Sequence, residues 1–432
     1  FFVGLYSGIT RNSVHDFVFD TYDTLTLVRD EAGNIVPGGD PVHFLQAARQ
    51  PGSGVTVNAR GDDGALVLLT GFFEDRYGAR LIRRDGSVVA SWGLGFSSHF
   101  PDPVHLPEDL CPRSDWNIDS HGVLIEPDGS LVANYEYSGT VKLTRCGEVA
   151  WTLAHPTHHS VEPAAGGGYW IPGRAFLPPE ETDAYPPFTS MDVRDDFRDD
   201  LVLKVSEAGE IVLSKSVMEI LYDNGFAPLL TANGEFFAAP LHVEFVHLNK
   251  IGELPAAMAD AFPAFEAGDL VMSLRNYNLV FVVDPDDWQV KWHQVGPWQR
   301  QHDPEFLPDG SILVFNNNAF WLTMDALART PLDAPRTSTI MRVDPDTGET
   351  VVVYGGADGE RFLTVIRGKH EPTPGGGVLV TEFEAGRVFE IDAAGEIVWE
   401  YVNRYDEEFV AEISEARLYP PDHFTVEDWR CP

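Results

Sequence analysis

Lysine, cysteine and long apolar runs are all scarce in this chain. Lysine occurs only six times; the 30 basic residues face 67 acidic ones, for a net charge of −37. Such a surface repels nucleic acid, whose phosphates demand the opposite sign, and it repels anionic membrane surfaces. It favours solubility, including in salty surroundings. The three cysteines, Cys111, Cys146 and Cys431, make neither a disulfide framework nor a metal-binding CxxC pattern. One bridge plus a free thiol, or three thiols, would satisfy the count; Cys111 and Cys431 flank irregular regions and could pair. No apolar stretch is long enough to span a bilayer. The chain begins FFVGLYSG without Met, which reads as the tail of a removed signal or membrane anchor and so points to an exported protein.

What is present is a repeat. An apolar strand following a glycine turn recurs at 62–70, 127–135, 166–173, 267–276, 308–317 and 375–383. A second hairpin follows each copy, at 83–92, 144–151, 206–214, 284–292, 344–354 and 392–401. These are period-2 runs bounded by turn residues, not helical stripes. Six repeats of about four strands each predict an all-β, six-bladed β-propeller, because closing the ring protects strand edges and buries both faces of every blade. The expected division is an N-terminal segment over 1–55 with a short helix within 8–29, a propeller over 56–403, and a C-terminal tail over 404–432 that packs on it. Residues 174–200, rich in Pro and Asp, read as a long loop over one face. Residues 253–265 read as a short helical insertion in blade four.

Histidines recur where the innermost strands should begin. His302, His121 and His159 each stand eight residues before a turn glycine, while His247 and His370 open blades four and six. Blade one shows only Thr56 at that spacing. One such histidine is ordinarily a structural residue. Five at one level of a channel need a shared ligand or partners, because burying several imidazoles together is costly. A metal site and an anion site both fit. Arg275, on an otherwise apolar strand, favours the anion, since a permanent cation beside imidazoles repels a metal and its planar fork suits an oxyanion.

These residues resemble a known family. The run VHLNKI, GDLVMSLRN and WHQVGPWQRQHDPEFLPDGSILVFNNN, with GRVFEIDAAGEIVWEYVNR beyond it, is similar to the bacterial arylsulfotransferases. The similarity spans roughly 120–403. It implies a six-bladed propeller that moves a sulfuryl group from an aryl sulfate to a phenol, without a nucleotide sulfate donor, through a sulfohistidine. On that resemblance His302 is the nucleophile, and His247, Arg275 and His159 hold the sulfate oxygens, with His158 the lesser candidate beside His159. Neither a cofactor nor a metal is required. Asn249 joins the substrate site, and so do His121 and His370, histidines beyond those the resemblance matches, either of which could protonate the leaving oxygen. Trp298, Tyr277 and Trp170 could wall an aromatic acceptor site or simply pack the blades. One position departs from the family pattern: Lys250 stands where His-x-Asn-Ser is usual. The competing readings are a metal-dependent hydrolase or lyase using the channel histidines, and a non-catalytic extracellular binding or scaffold propeller.

Overall fold

The structure is a computed structural model that describes Val14 and residues 44–116, 118–177, 197–231, 245–319 and 337–431. Six antiparallel sheets form the blades of a propeller. Blade two shows the plan: Ser120–Ile125 innermost, then Leu131–Tyr135, Gly139–Leu143 and Val149–Leu153 outermost. Every residue of Leu131–Tyr135 is buried, whereas Val149–Leu153 is mostly exposed. The gradient follows from the ring, since inner strands are covered by both neighbouring blades and the outermost strand faces water. Between the first two strands, Asp128 accepts the Ser130 amide at 2.8 Å and Gly129 takes φ +84°. Asp309 repeats the device on Ser311 in blade five. The Asp-Gly punctuation therefore acts through an Asx turn.

Ring closure uses both ends of the described chain. Blade one consists of Leu66–Phe73, Arg76–Arg83 and Val88–Gly93, and its innermost strand is Ile413–Tyr419. The last segment is thus a strand of the ring, and the inner position of blade one belongs to it rather than to the region of Thr56. Thr56 lies instead in Gly54–Asn58, a fifth, outer strand on blade six paired with Ile397–Val402. Beyond the closing strand, Cys431 forms a disulfide with Cys146 of blade two, 285 residues away. Arg145 adds hydrogen bonds to the carbonyls of Asp428 and Arg430. Pairing of Cys431 with Cys111 is therefore corrected: Cys111 is the free thiol, packed beside the core of blades one and two.

The stretch 174–200 is not wholly loop. Strand Tyr169–Leu177 runs into it and Phe197–Val205 emerges from it, with Arg174 opposite Asp200; residues 178–196 lie outside the described residues. The insertion at 253–265 contains one 3-10 turn, Ala259–Ala261. The helix expected within 8–29 falls outside the described residues except at Val14. Among the described residues, no helix is long and apolar enough to cross a membrane.

Candidate active site

Irregularities in the inner strands aim the site. Register shifts straddle His121 in blade two, follow His247 in blade four, follow His302 in blade five and straddle Ser414 in blade one. In blade three, four residues, 158–161, fit between the Thr157–Gly173 bridge and the Glu162–Trp170 pair, opposite only two. An extra residue in a strand turns its neighbours away from plain alternation, so these histidines point along the channel instead of onto a blade face. The backbone is held accordingly: His159, His247 and Asp303 all have positive φ, at 55°, 58° and 54°. Such non-glycine conformations cost of order 1–3 kcal/mol each and persist only where the surroundings impose them.

His121, His159, His247 and His302 come together. The ring of His159 lies 4.5 Å from that of His121, 4.7 Å from His247 and 6.3 Å from His302, and His247 lies 6.4 Å from His302. His121, His159 and His302 line a small cavity with Asn249, Arg367 and Ser414. Burial, then Arg275, then His247 hold His302 well below the ordinary histidine value. Burial followed by Arg367 does the same to His121, and burial followed by His121 does so to His159. These three rings are therefore neutral at neutral pH, with lone pairs available.

The tautomer of His302 follows from its partners. Its Nδ1 lies 2.7 Å from Asn317 Oδ1 and 3.1 Å from the Arg300 carbonyl, and both oxygens are acceptors. The orientation of Asn317 is set in turn, because its Nδ2 donates to the carbonyls of Thr364 and Arg367 at 3.1 and 2.7 Å. Nδ1 of His302 therefore carries the proton and Nε2 the lone pair. Nε2 is buried and has no hydrogen-bond partner among the described residues. This is the state a nitrogen nucleophile requires.

Cations frame the chamber: Arg367 and Lys369 line it, and Arg275 acts electrostatically on His302. Arg275 follows the strand Leu270–Leu274 and opens a 3-10 turn, so it is not a strand residue as its sequence setting implied; its amide donates to the His247 carbonyl. Arg367 pairs with buried Asp119 and with Glu136. Below the chamber lies a buried ion-pair cluster. Lys250, almost fully buried, reaches Glu162 at 2.7 Å, Asp303 at 3.1 Å and Glu305 at 2.5 Å. Burial opposes its charge, yet Asp303, Glu162 and Glu305 hold its pKa well above the ordinary lysine value. Beyond this cluster opens a much larger cavity of about 820 Å³, lined by Glu305, Glu371, Arg417 and Tyr419. His370 is on the wall of this cavity, and Asp303 and Lys369 border both spaces, but His121, His159 and His302 line only the chamber.

Not every expected residue reaches the chamber. The inner strand of blade six pairs without a register shift from Lys369–Thr381 to Thr373–Gly377. His370 therefore follows plain alternation onto the blade face, where it packs on Phe315, and its pKa is pushed down to about 4, chiefly by burial. Lys369 is the blade-six residue that lines the chamber. Trp298 is buried in the core of blades four and five, its indole N–H on the Asn278 carbonyl. Tyr277 packs on Phe245 and donates to the Leu230 carbonyl, and Trp170 donates to Glu253. All three pack blades and none lines the chamber. Sequence reasoning missed Asn317, Arg367 and Ser414. Asn317 could have been sought in the NNN run ending the strand that pairs with His302; Ser414 carried no signal, because its strand arrives from the far end of the chain.

Together these features define a six-bladed propeller with a neutral, imidazole-lined mouth beside fixed cations. The chain belongs to the arylsulfotransferase family: the model for arylsulfotransferase (ASST) matches residues 116–404. None of the curated proteins matches it. Similar solved structures include a protein of unknown function from Bacteroides caccae, 14% identical with TM-score 0.47, covering 78% of this chain and 93% of that one. The Dos1 propeller is 9% identical with TM-score 0.39, covering 86% and 78%. Catalytically inactive virginiamycin B lyase from Staphylococcus aureus with quinupristin is 10% identical with TM-score 0.35, covering 66% and 71%. At such low identities and TM-scores these likenesses carry no weight for the site.

Proposed function

We propose that this protein transfers a sulfuryl group from an aryl sulfate to a phenol through a covalent adduct on His302. Family membership supports arylsulfotransferase-type activity in general. The observation that carries the finer reading is the His302 tautomer, with Nδ1–H tied to Asn317 and Arg300 and a bare Nε2 facing the other imidazoles. His302 Nε2 attacks sulfur, the S–O bond to the donor phenol breaks, and the phenolate leaves. Arg275 and His247 hold the sulfuryl oxygens, whose charge must be held through the transition state, and His159 stands beside them. A second phenol then takes the group from Nε2. The ion-pair cluster of Lys250, Glu162, Asp303 and Glu305 beneath the chamber supports entry of donor and acceptor in turn from one side, as in ping-pong order. The disulfide accords with an oxidising, exported location.

A metal reading has one observation in its favour: His159, His247 and His302 offer ligand atoms within 4.8 Å of one another. The charge of Arg275 beside His302 opposes it. The deciding experiment is intact mass after brief incubation with 4-nitrophenyl sulfate, with EDTA present and no acceptor. The expected result is a gain of one sulfuryl group, absent in His302→Ala and discharged by added phenol. No gain in the wild-type protein, or a gain abolished by EDTA alone, overturns the reading.

A further inference from the structure

His159 does not stand alone. Its Nδ1 lies 2.8 Å from Nδ1 of His158. Nε2 of His158 lies 3.1 Å from the Gly173 carbonyl and 3.6 Å from a carboxylate oxygen of Asp200. The ring of His158 is fully buried and packs at a tilt against Tyr137, over which Arg174 is seated. Asp200, itself buried, takes Arg174 Nε and Nη2 on one oxygen at 3.1 and 3.0 Å, and the Leu248 amide on the other at 2.8 Å. Leu248 follows His247, so one carboxylate braces two walls of the chamber.

Proton placement along this line is constrained. A carbonyl oxygen only accepts, so His158 carries its proton on Nε2 and the uncharged ring presents a lone pair at Nδ1. That lone pair takes the Nδ1–H of His159. The neutral ring of His159 then has its own lone pair on Nε2. A nitrogen in that state cannot donate to a sulfuryl oxygen, but it can accept a proton. Its ring lies 6.3 Å from that of His302, and both line the same small cavity.

We infer that Asp200, His158 and His159 form a buried proton relay in which His159 takes the proton of the acceptor phenol and His158 and Asp200 position it. The inference rests on the sulfuryl-transfer reading. In the discharge step the phenol oxygen bonds to sulfur, the S–Nε2 bond of His302 breaks, and the phenolic proton moves to His159 Nε2. The Nδ1 proton of His159 shifts to His158, and the positive charge comes to rest beside the Asp200 carboxylate. In the next cycle the same proton passes back to the donor's leaving oxygen, so the charge of the enzyme is restored. His158 and Asp200 are positioning residues; they touch neither phenol.

Discharge kinetics of the sulfuryl-enzyme test the relay. In His158→Asn the amide oxygen can still accept from His159 Nδ1–H, but the link to Asp200 is cut. Adduct formation from 4-nitrophenyl sulfate, whose phenolate leaves without help, is expected to stay close to wild type. Discharge to weakly acidic phenols is expected to fall on the order of 10²-fold, the low end of general acid–base contributions; discharge to strongly acidic phenols is spared. Equal loss in both half-reactions, or with all phenols, marks a merely structural role and overturns the relay. Nitrogen-15 spectra of the resting protein are independent of turnover. They are expected to place the His159 proton on Nδ1 in wild type and to lose that preference in His158→Phe; a proton on Nε2 in wild type overturns the relay. If wild type forms no adduct, the transfer reading fails, while the spectra still decide whether the relay exists.

Discussion

At the scale of single residues, the chamber works by fixing protons before any ligand arrives. Asn317 fixes the His302 ring without adding a charge, so the imidazole stays neutral, as the proposed nucleophile must. Substituting Asn317→Leu is expected to slow adduct formation on the order of 10²-fold, the cost of a small misplacement of the reacting atom, with an unshifted melting temperature as the control for folding. The depressed pKa of His302 also sets a sign. Its burial and Arg275 favour the neutral, nucleophilic ring, so the acid limb of adduct formation should lie below the ordinary histidine value of about 6.5. An acid limb at or above that value would show that a carboxylate, not burial and Arg275, governs the ring.

Among elements, the bulges decide which histidines count. His121 and His370 both occupy the second position of an inner strand. His121 reaches the chamber because the register shifts around it; His370 does not, because its strand is regular. Blades two and three must approach closely for His121 and His159 to meet, and Gly122 permits this. A Cβ there would stand 2.2 Å from the His159 carbonyl oxygen. Gly122→Ala should therefore displace His159 and impair discharge of the adduct more than its formation. Equal rates to wild type in both steps would show that the backbone gives way at no functional cost. The departure at Lys250 acts on the same scale: its ammonium occupies the space among Glu162, Asp303 and Glu305 that would otherwise suit a metal ion.

For the molecule as a whole, closure is the controlling event. A strand from residues 413–419 completes the blade that begins at 66, so the ring closes only once that distant strand has been made. The Cys146–Cys431 bridge then ties the end of the chain to blade two. Disulfides of this kind contribute about 2–4 kcal/mol. Cys431→Ser is expected to lower the melting temperature by several degrees and to leave adduct formation intact, since the bridge lies outside the chamber. Unchanged melting under oxidising conditions would show that the pairing of strand 413–419 holds the end unaided.

Much of this was legible without coordinates. Alternation and Asp-Gly turns are local physics, so the number of blades, the hairpin order and the histidine level follow from the residues themselves, as did His302 in its Gln-His-Asp setting. What the residues could not decide is which way a side chain faces once a strand carries an extra residue, since a bulge is a property of two paired strands. That is why His370 and Trp298 looked equivalent to residues that line the chamber, and why Asn317 and Arg367 did not stand out. The inner strand of blade one was hidden for a related reason, because its partner lies more than three hundred residues away and only ring closure pairs them. Local periodicity determined the architecture; long-range pairing decided the chemistry.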